Sequence, residues 1–199
     1  AGAKYIFRNN HSNSKYYTDS QGNYVFDDVN SMNYRHNNNI VAAYSEYAYN
    51  KMKYGFKAGL RYEYTFQDVK YLRGKGEDFT SNYGNLVPSA SLSYTLSQSQ
   101  NIGLTYNMRI SRPGITYLNP YVNTQDPTTI SYGNTNLKSE QANNFGLVYN
   151  LFNAKWIVNL NLRYSFCSNG IEGYSFYKDN ILNSTYGNIV KRQNSGLSA

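Results

Sequence analysis

The sequence has 199 residues, enough for one domain, with 23 tyrosines, 17% aromatic residues and a net charge of +7. A single cysteine excludes an internal disulfide, and two histidines give no metal-ligand spacing. No apolar run approaches the ~18 residues of a transmembrane helix. The mean hydropathy of −0.67 does not exclude a membrane β-barrel, because strand alternation averages hydropathy away.

Taken in order, residues 1–8 alternate Ala1, Ala3, Tyr5 and Phe7 against Gly2, Lys4, Ile6 and Arg8, a strand pattern. Residues 9–33 are rich in Asn, Ser and Asp and predict a long loop. Residues 34–49 resume an extended pattern whose phase is ambiguous, since Glu46 shares parity with Ile40, Ala42 and Tyr44. A short turn at 50–52 leads into 53–67, KYGFKAGLRYEYTFQ. There Tyr54, Phe56, Ala58, Leu60, Tyr62, Tyr64 and Phe66 occupy every second position, with Lys57, Arg61 and Glu63 between them. This run outlasts an ordinary strand of about five or six residues. It suits a transmembrane barrel strand, which needs about 9–11 residues, apolar outward and polar inward.

Residues 68–84, with Lys70, Arg73, Lys75, Glu77 and Asp78, predict a second long polar loop. In 85–97, Leu86, Pro88, Ala90, Leu92, Tyr94 and Leu96 alternate against Val87 and a series of Ser and Thr. Pro88 cannot donate to a ladder and sits near the strand end, as it must. After a turn at 98–100, residues 101–111 alternate Ile102, Leu104, Tyr106, Met108 and Ile110 against polar residues and glycine. Residues 112–138 form a third long segment, punctuated by Pro113, Gly114, Pro120, Pro127 and Gly133. Strands follow at 139–151 and from 155 to about 177, the second alternating Trp156, Val158, Leu160, Leu162, Tyr164 and Phe166 against Asn159, Asn161, Arg163 and Ser165. A bulge is expected at 168–170, a turn at 178–180, and a returning strand over 181–199.

These elements predict an all-β, antiparallel up-and-down transmembrane β-barrel segment of about eight strands over residues 1–199. Short turns near Asn50, Gln98 and Asn153 alternate with the three long segments, as short periplasmic turns alternate with long extracellular loops. Tyr49, Tyr54, Tyr94 and Trp156 near the short turns, and Tyr62, Tyr64, Phe66, Tyr164 and Phe166 toward the long segments, would make the two aromatic girdles. Both ends read as strands, so the sheet is expected to be an arc of a larger barrel and both ends to be cuts through a longer protein. Two alternatives stand beside this: a small closed eight-stranded outer-membrane barrel with a structural or binding role, and a soluble β-sandwich carbohydrate-binding module.

One group of short motifs carries a resemblance. Arg109-Ile110-Ser111-Arg112-Pro113, then Leu118-Asn119-Pro120, then Gly133-Asn134 and Leu137-Lys138-Ser139-Glu140 resemble the TonB-dependent outer-membrane receptors, specifically the barrel family abundant in Bacteroidota. Thr135 and Asn136 depart from the family's Asn-Pro step, and Ser139 replaces its second proline. The resemblance implies a barrel of about 22 strands around an N-terminal plug, energised nutrient uptake, and no cofactor. It places the chain in the outer membrane of a Gram-negative bacterium. The partners it implies are outer-membrane lipid, a nutrient ligand of open class (oligosaccharide, peptide, iron chelate or cobalamin-like compound), a plug domain and TonB complex reached through sequence outside this chain, and a surface lipoprotein.

No catalytic constellation appears, and no enzyme activity is expected. His11 and His36 sit in Asn-rich sequence, Glu77-Asp78 reads as a solvated turn, Gly74-x-Gly76 is too short for a phosphate loop, and Cys167 reads as a small residue near a strand end. Basic residues are scattered and leave no nucleic-acid footprint. Arg61, Glu63, Arg109, Glu140 and Arg163 fall on the polar parity and are candidates to face the lumen, either paired with one another or lining a path or plug contact. Tyr24, Tyr71, Tyr83, Tyr117, Tyr121 and Tyr132 fall in the long segments, where stacking on a ligand and simple tyrosine abundance are equal explanations; the last five are the ligand-binding candidates.

Overall fold

Apolar/polar alternation drives this chain into long antiparallel strands, and the computed structural model shows them in one continuous sheet. Its described residues are 1–74, 76–126 and 128–199, with backbone only for 123–126. Lys75 and Pro127, expected within the second and third long segments, lie outside the described residues. The strands are β1 (Gly2–Ser20), β2 (Asn23–Lys51), β3 (Tyr54–Arg73), β4 (Phe79–Ser97) and β5 (Gln100–Ser111). A single helical turn α1 (Ile115–Leu118) and short strands β6 (Asn123–Asp126) and β7 (Thr129–Ser131) follow, then β8 (Glu140–Phe152), β9 (Ile157–Lys178) and β10 (Ile181–Ser198). The order across the sheet is β1-β2-β3-β4-β5-β8-β9-β10-β7-β6. Every long pair is antiparallel, and all but β5–β8, which are separated by residues 112–139, are consecutive in the chain; β7 alone pairs in parallel, with β10 at Leu182, Asn183 and Ser184.

The register settles which face each residue takes, because directly paired residues share a face. Tyr49, Phe56, Leu92, Leu104, Leu147, Leu162 and Leu197 are successive partners and form one apolar row across seven strands. Above it runs Ala58, Ala90, Tyr106, Phe145 and Tyr164. No second sheet covers this face among the described residues: Leu60, Leu92 and Leu104 are 49%, 45% and 51% exposed. That overturns the soluble sandwich, whose inner faces would bury these residues. The ambiguous phase of β2 resolves with Val41, Tyr47 and Tyr49 on the apolar face and Ile40, Ala42, Tyr44 and Glu46 on the other.

Two of the long loops are not loops. Residues 9–33 form the outer part of the β1–β2 hairpin, closed by Gln21 and Gly22 at φ 53° and 84°, a two-residue turn of the twist hairpins favour. Residues 68–84 continue β3 to Arg73 and re-enter β4 at Phe79. Beyond a bilayer a paired ribbon has water on both faces, so its backbone ladder no longer requires apolar alternation, and polar strands read as loops. β2, at 29 residues, far exceeds the ~9–11 needed to span. The turn expected at 178–180 is present, with Asp179 and Asn180 both left-handed at φ 51° and 63°. No ladder joins β1 to β10 among the described residues, so the sheet does not close on itself. The small closed eight-stranded barrel is therefore not what this chain forms.

Candidate functional site

The polar face is built by the alternate residues of the same strands, and charge on it is organised around Glu63. Glu63, 7% exposed, takes the Arg61 guanidinium at 2.7 Å on one side and that of Arg112 on the other. Arg112 also donates from Nε to Thr65 Oγ1 at 3.0 Å. A buried carboxylate held by two guanidinium groups avoids the cost of an isolated charge.

Arg112 is also where the chain leaves β5 and turns back over the polar face. Leu118 and Leu137 bury against Val69 and Phe79, with Tyr34, Tyr71, Ile115, Ile171 and Tyr186 packed around them. The motif residues explain why the segment holds this path. The backbone N–H of Gly133 donates to the Asn119 carbonyl and that of Asn134 to the Tyr117 carbonyl, each at 2.7 Å. A Cβ on Gly133 would strike the Asn119 and Tyr117 backbone, so only glycine allows this approach. Asn134 donates from its amide to the Tyr186 carbonyl at 2.9 Å. Asn188 of β10 accepts from the Lys138 N–H at 2.8 Å and donates to the Lys138 and Asn169 carbonyls. Ser139, which is 1% exposed, accepts from the Asn85 amide at 3.3 Å. Glu140 accepts from the Ile171 N–H at 2.7 Å and pairs with Arg192 at 2.9 Å. Residues 112–119 and 132–140 are thus sewn to β3, β4, β9 and β10 on one face of the sheet.

The charged candidates all lie on that face. Arg61 pairs in register with Val87, Glu140 with Ser111, Arg109 with Ala142, and Arg163 with Gly146 and Gly196. Arg61, Glu63 and Glu140 have ion partners; Arg109 and Arg163 have none among the described residues. The tyrosine candidates need correction. Tyr71 lies in β3 and Tyr83 in β4, and Tyr24 lies in β2, because the outer ribbons continue as strands. Tyr71 packs on Tyr34 with ring centroids 5.5 Å apart. Burial, with the Tyr34 hydroxyl adding, pushes its phenol up to about 12. Tyr83 accepts from the Gln67 amide at 3.0 Å, and Tyr117 stands edge-on to Tyr186 at 4.8 Å. Tyr132 bonds through its backbone to the Ser184 carbonyl. Tyr121 lines a groove of about 380 Å³ with Tyr16, Tyr17, Asn119 and the bulge of β2 at 27–32. The five do not converge on one cavity.

The sequence reading missed a polar cluster under the docked segment. His36 Nε2, Asn38 Oδ1 and Gln67 Oε1 are buried on neighbouring rows of the polar face; Asn38 Oδ1 has no partner, and the His36 ring and Gln67 side chain stand close enough to interact without a well-formed hydrogen bond. Burial lowers the His36 pKa, with the Gln67 side chain acting in the opposite sense. The signal was the shared parity of His36 and Asn38 with Ile40, hidden by the polar composition of 33–39.

The aromatic candidates occupy the opposite face. Tyr54 pairs with Tyr94, centroids 4.8 Å apart, next to the short turns. Tyr62, Tyr64 and Phe66 follow on β3, and Tyr164 and Phe166 on β9 cluster with Phe145. Trp156 lies in the β8–β9 turn, 66% exposed.

A model of the outer membrane protein β-barrel family matches residues 1–199. No curated protein matches the chain. Among solved structures it is similar to the hemophore receptor HasR of Serratia marcescens, solved with its hemophore and heme, at 13% identity and a TM-score of 0.61, covering 98% of this chain and 37% of that one. It is similar to the ferric enterobactin receptor of Pseudomonas aeruginosa at 16% identity and 0.58, covering 98% and 38%. The FrpB iron transporter of Neisseria meningitidis gives 15% identity and 0.57, covering 84% and 24%. At these identities the likeness is one of fold, and the chain spans little more than a third of the first of these receptors.

Proposed function

This chain belongs to the outer membrane protein β-barrel family and lies in the outer membrane of a Gram-negative bacterium; from that premise we propose that it is wall and gate of a TonB-dependent transporter for energised nutrient uptake. The observation that carries this is the division of the sheet into two unlike faces. One is a continuous apolar surface. The other bears the ion-paired network and the folded segment 112–140. A barrel with no solute to control needs only small packed side chains inside; here a polar segment is fixed across the wall at the end remote from the short turns.

In this reading the apolar rows face lipid, with Tyr54 and Tyr94 at one interface and Tyr62, Tyr64, Phe66, Tyr164 and Phe166 at the other. Tyr54 to Tyr62–Phe66 is 8 to 12 residues. That is roughly 26–40 Å along the strand, or about 19–28 Å across a bilayer at ~45° tilt, which fits an apolar band of about 25 Å. The polar face lines the lumen, with Arg61, Glu63, Arg109, Glu140 and Arg163 toward the solute path or a plug domain. The projecting ribbons, with Tyr16 and Tyr17 toward the tip of the β1–β2 hairpin and Tyr121 in the groove beside them, are the ligand-capturing elements, and a surface lipoprotein and the TonB complex are partners of the complete protein. The similar structures are receptors and transporters, which accords with a transport role and with no catalysis.

The test is uptake. The full-length protein is placed in the outer membrane of a Gram-negative host, and accumulation of labelled oligosaccharides, peptides, ferric chelates and cobalamin is followed with and without a proton uncoupler. Accumulation of one class that stops with the uncoupler is expected. Accumulation indifferent to the uncoupler would make it a passive pore, and none at all a structural barrel.

A further inference from the structure

We propose that the polar face between β5, β8, β9 and β10 is a binding site for a carboxylate-bearing anion, gripped by Arg109 and Arg163. The proposal rests on the polar face being the lumen wall. Its first support is the charge pattern. The carboxylates of Glu46, Glu63 and Glu140 on this face each have a cationic partner: Lys57 at 3.0 Å, the Arg61 and Arg112 pair, and Arg192. Arg109 and Arg163 have no such partner among the described residues. Glu140, which shares a groove with Arg109, is already committed to Arg192 and the Ile171 N–H.

The second support is register. Asn107, Asn144, Ser165 and Asn194 are successive partners and form one polar row. Arg163 lies on the next row toward the short turns and Arg109 on the next row away from them. The two guanidinium side chains therefore start about 13 Å apart along the strand direction, on either side of a row of amides and a hydroxyl. Two arginines can close over a small solute across that span. The row is itself organised, since the Asn144 amide donates to both the carbonyl and the side-chain oxygen of Asn107 at 3.3 Å.

The third is the wall around each arginine. Arg163 has glycine opposite it on both neighbouring strands, Gly146 and Gly196, and Arg109 has Ala142. A Cβ at Gly196 would meet nothing within 4 Å, so no backbone contact demands glycine there. The absent side chains leave a groove of about 550 Å³. Planar guanidinium forks match a carboxylate with two parallel hydrogen bonds, and asparagine amides add donors. A cation is repelled by this site, and a neutral polyol gains nothing from its charge.

The carboxylate has two sources, a free solute or an acidic side chain elsewhere in the same polypeptide, and one experiment separates them. Citrate is titrated calorimetrically into the full-length protein in detergent at low salt, for wild type, R109Q, R163Q and the double variant, and thermal unfolding is recorded for each. Citrate binding that weakens at least about tenfold in the double variant identifies a solute site. No citrate binding to wild type, with a lower Tm in the double variant, places a carboxylate of the polypeptide in the groove. Citrate affinity and Tm both unchanged in the double variant would overturn the site. The titration requires no energised transport, so citrate binding without nutrient accumulation would sink the transporter and leave the site standing.

Discussion

At the scale of single residues, Glu63 joins the barrel wall to the segment folded on it. Among the described residues it is the most buried carboxylate of the polar face, and both its partners are arginines from different places in the chain, Arg61 on β3 and Arg112 beyond β5. Replacing it by glutamine keeps the shape and leaves two guanidinium groups facing each other. Breaking a buried pair costs about 3–5 kcal/mol, and with Arg61 half exposed a loss of about 2–3 kcal/mol is expected for Glu63→Gln. Urea unfolding of the full-length protein in liposomes measures it. Adding Arg112→Gln to Glu63→Gln should cost less than the sum of the single changes, because the repulsion is then removed; strict additivity would show that the two do not interact. The sequence placed Glu63 on the polar parity with Arg61. Arg112, 49 positions away, was visible only as a motif letter, since ion pairing across that separation depends on the turn after β5.

Among the elements, residues 112–140 differ most from what their composition suggests. Three prolines and two glycines read as an unstructured loop, yet Leu118 and Leu137 are almost fully buried. The glycine at 133 is the point of closest approach. A methyl group there meets the Asn119 N at 2.7 Å and the Tyr117 carbonyl at the same distance, both backbone atoms that cannot swing away. Gly133→Ala is expected to cost about 1–3 kcal/mol of overpacking and to loosen the segment without unfolding the sheet. Protease added to intact cells should then cleave within 112–138 faster than in wild type, while heat-resistant migration of the barrel is unchanged. Equal cleavage in the two proteins would mean that the segment is not held by this contact. The outer ribbon of β1 and β2 shows the converse: its sequence lacks the apolar alternation of a strand, and pairing alone makes it one. Where water lies on both faces, the hydrophobic pattern carries no information about the backbone, and only the Gln21–Gly22 turn remains as a local mark.

For the whole molecule the deciding feature is the unequal surroundings of the two faces. Leu104 sits in the apolar row, its neighbours Leu92 and Leu147, while Asn107 lies three residues on and faces the other way. In a bilayer, Leu104→Arg, one row inside the Tyr54–Tyr94 girdle, should cost about 1–2 kcal/mol, between the interface and midplane values, and Asn107→Arg should cost little, because it faces water. The folded fraction of full-length protein inserted into liposomes, read by heat-modifiable migration, compares the two. Equal destabilisation would mean that both faces see the same medium and that the lipid-facing assignment is wrong. The open edge of β1 belongs to the same scale: its unpaired N–H and C=O groups cannot stand in lipid, so the membrane-level part of β1, residues 2–8, requires a further paired strand in the assembled wall.

The sequence alone determined the faces and the spanning strands. Alternation with period two is imposed by the strand backbone itself, so residues 53–67, 85–97, 101–111 and 155–166 declared which side chains point which way before any partner was known. It also determined the turns near 50–52, 98–100, 153 and 178–180, which are local, but not the Gln21–Gly22 turn, which lies inside residues 9–33. Tertiary structure alone decided the rest: that residues 9–33 and 68–84 are ribbons, that Tyr71 and Tyr83 stand on strands, that Arg112 meets Glu63, and that glycines flank Arg163 on both sides. Each of these depends on which strand lies beside which and in what register. That is a property of pairs of distant segments, and no single segment carries it.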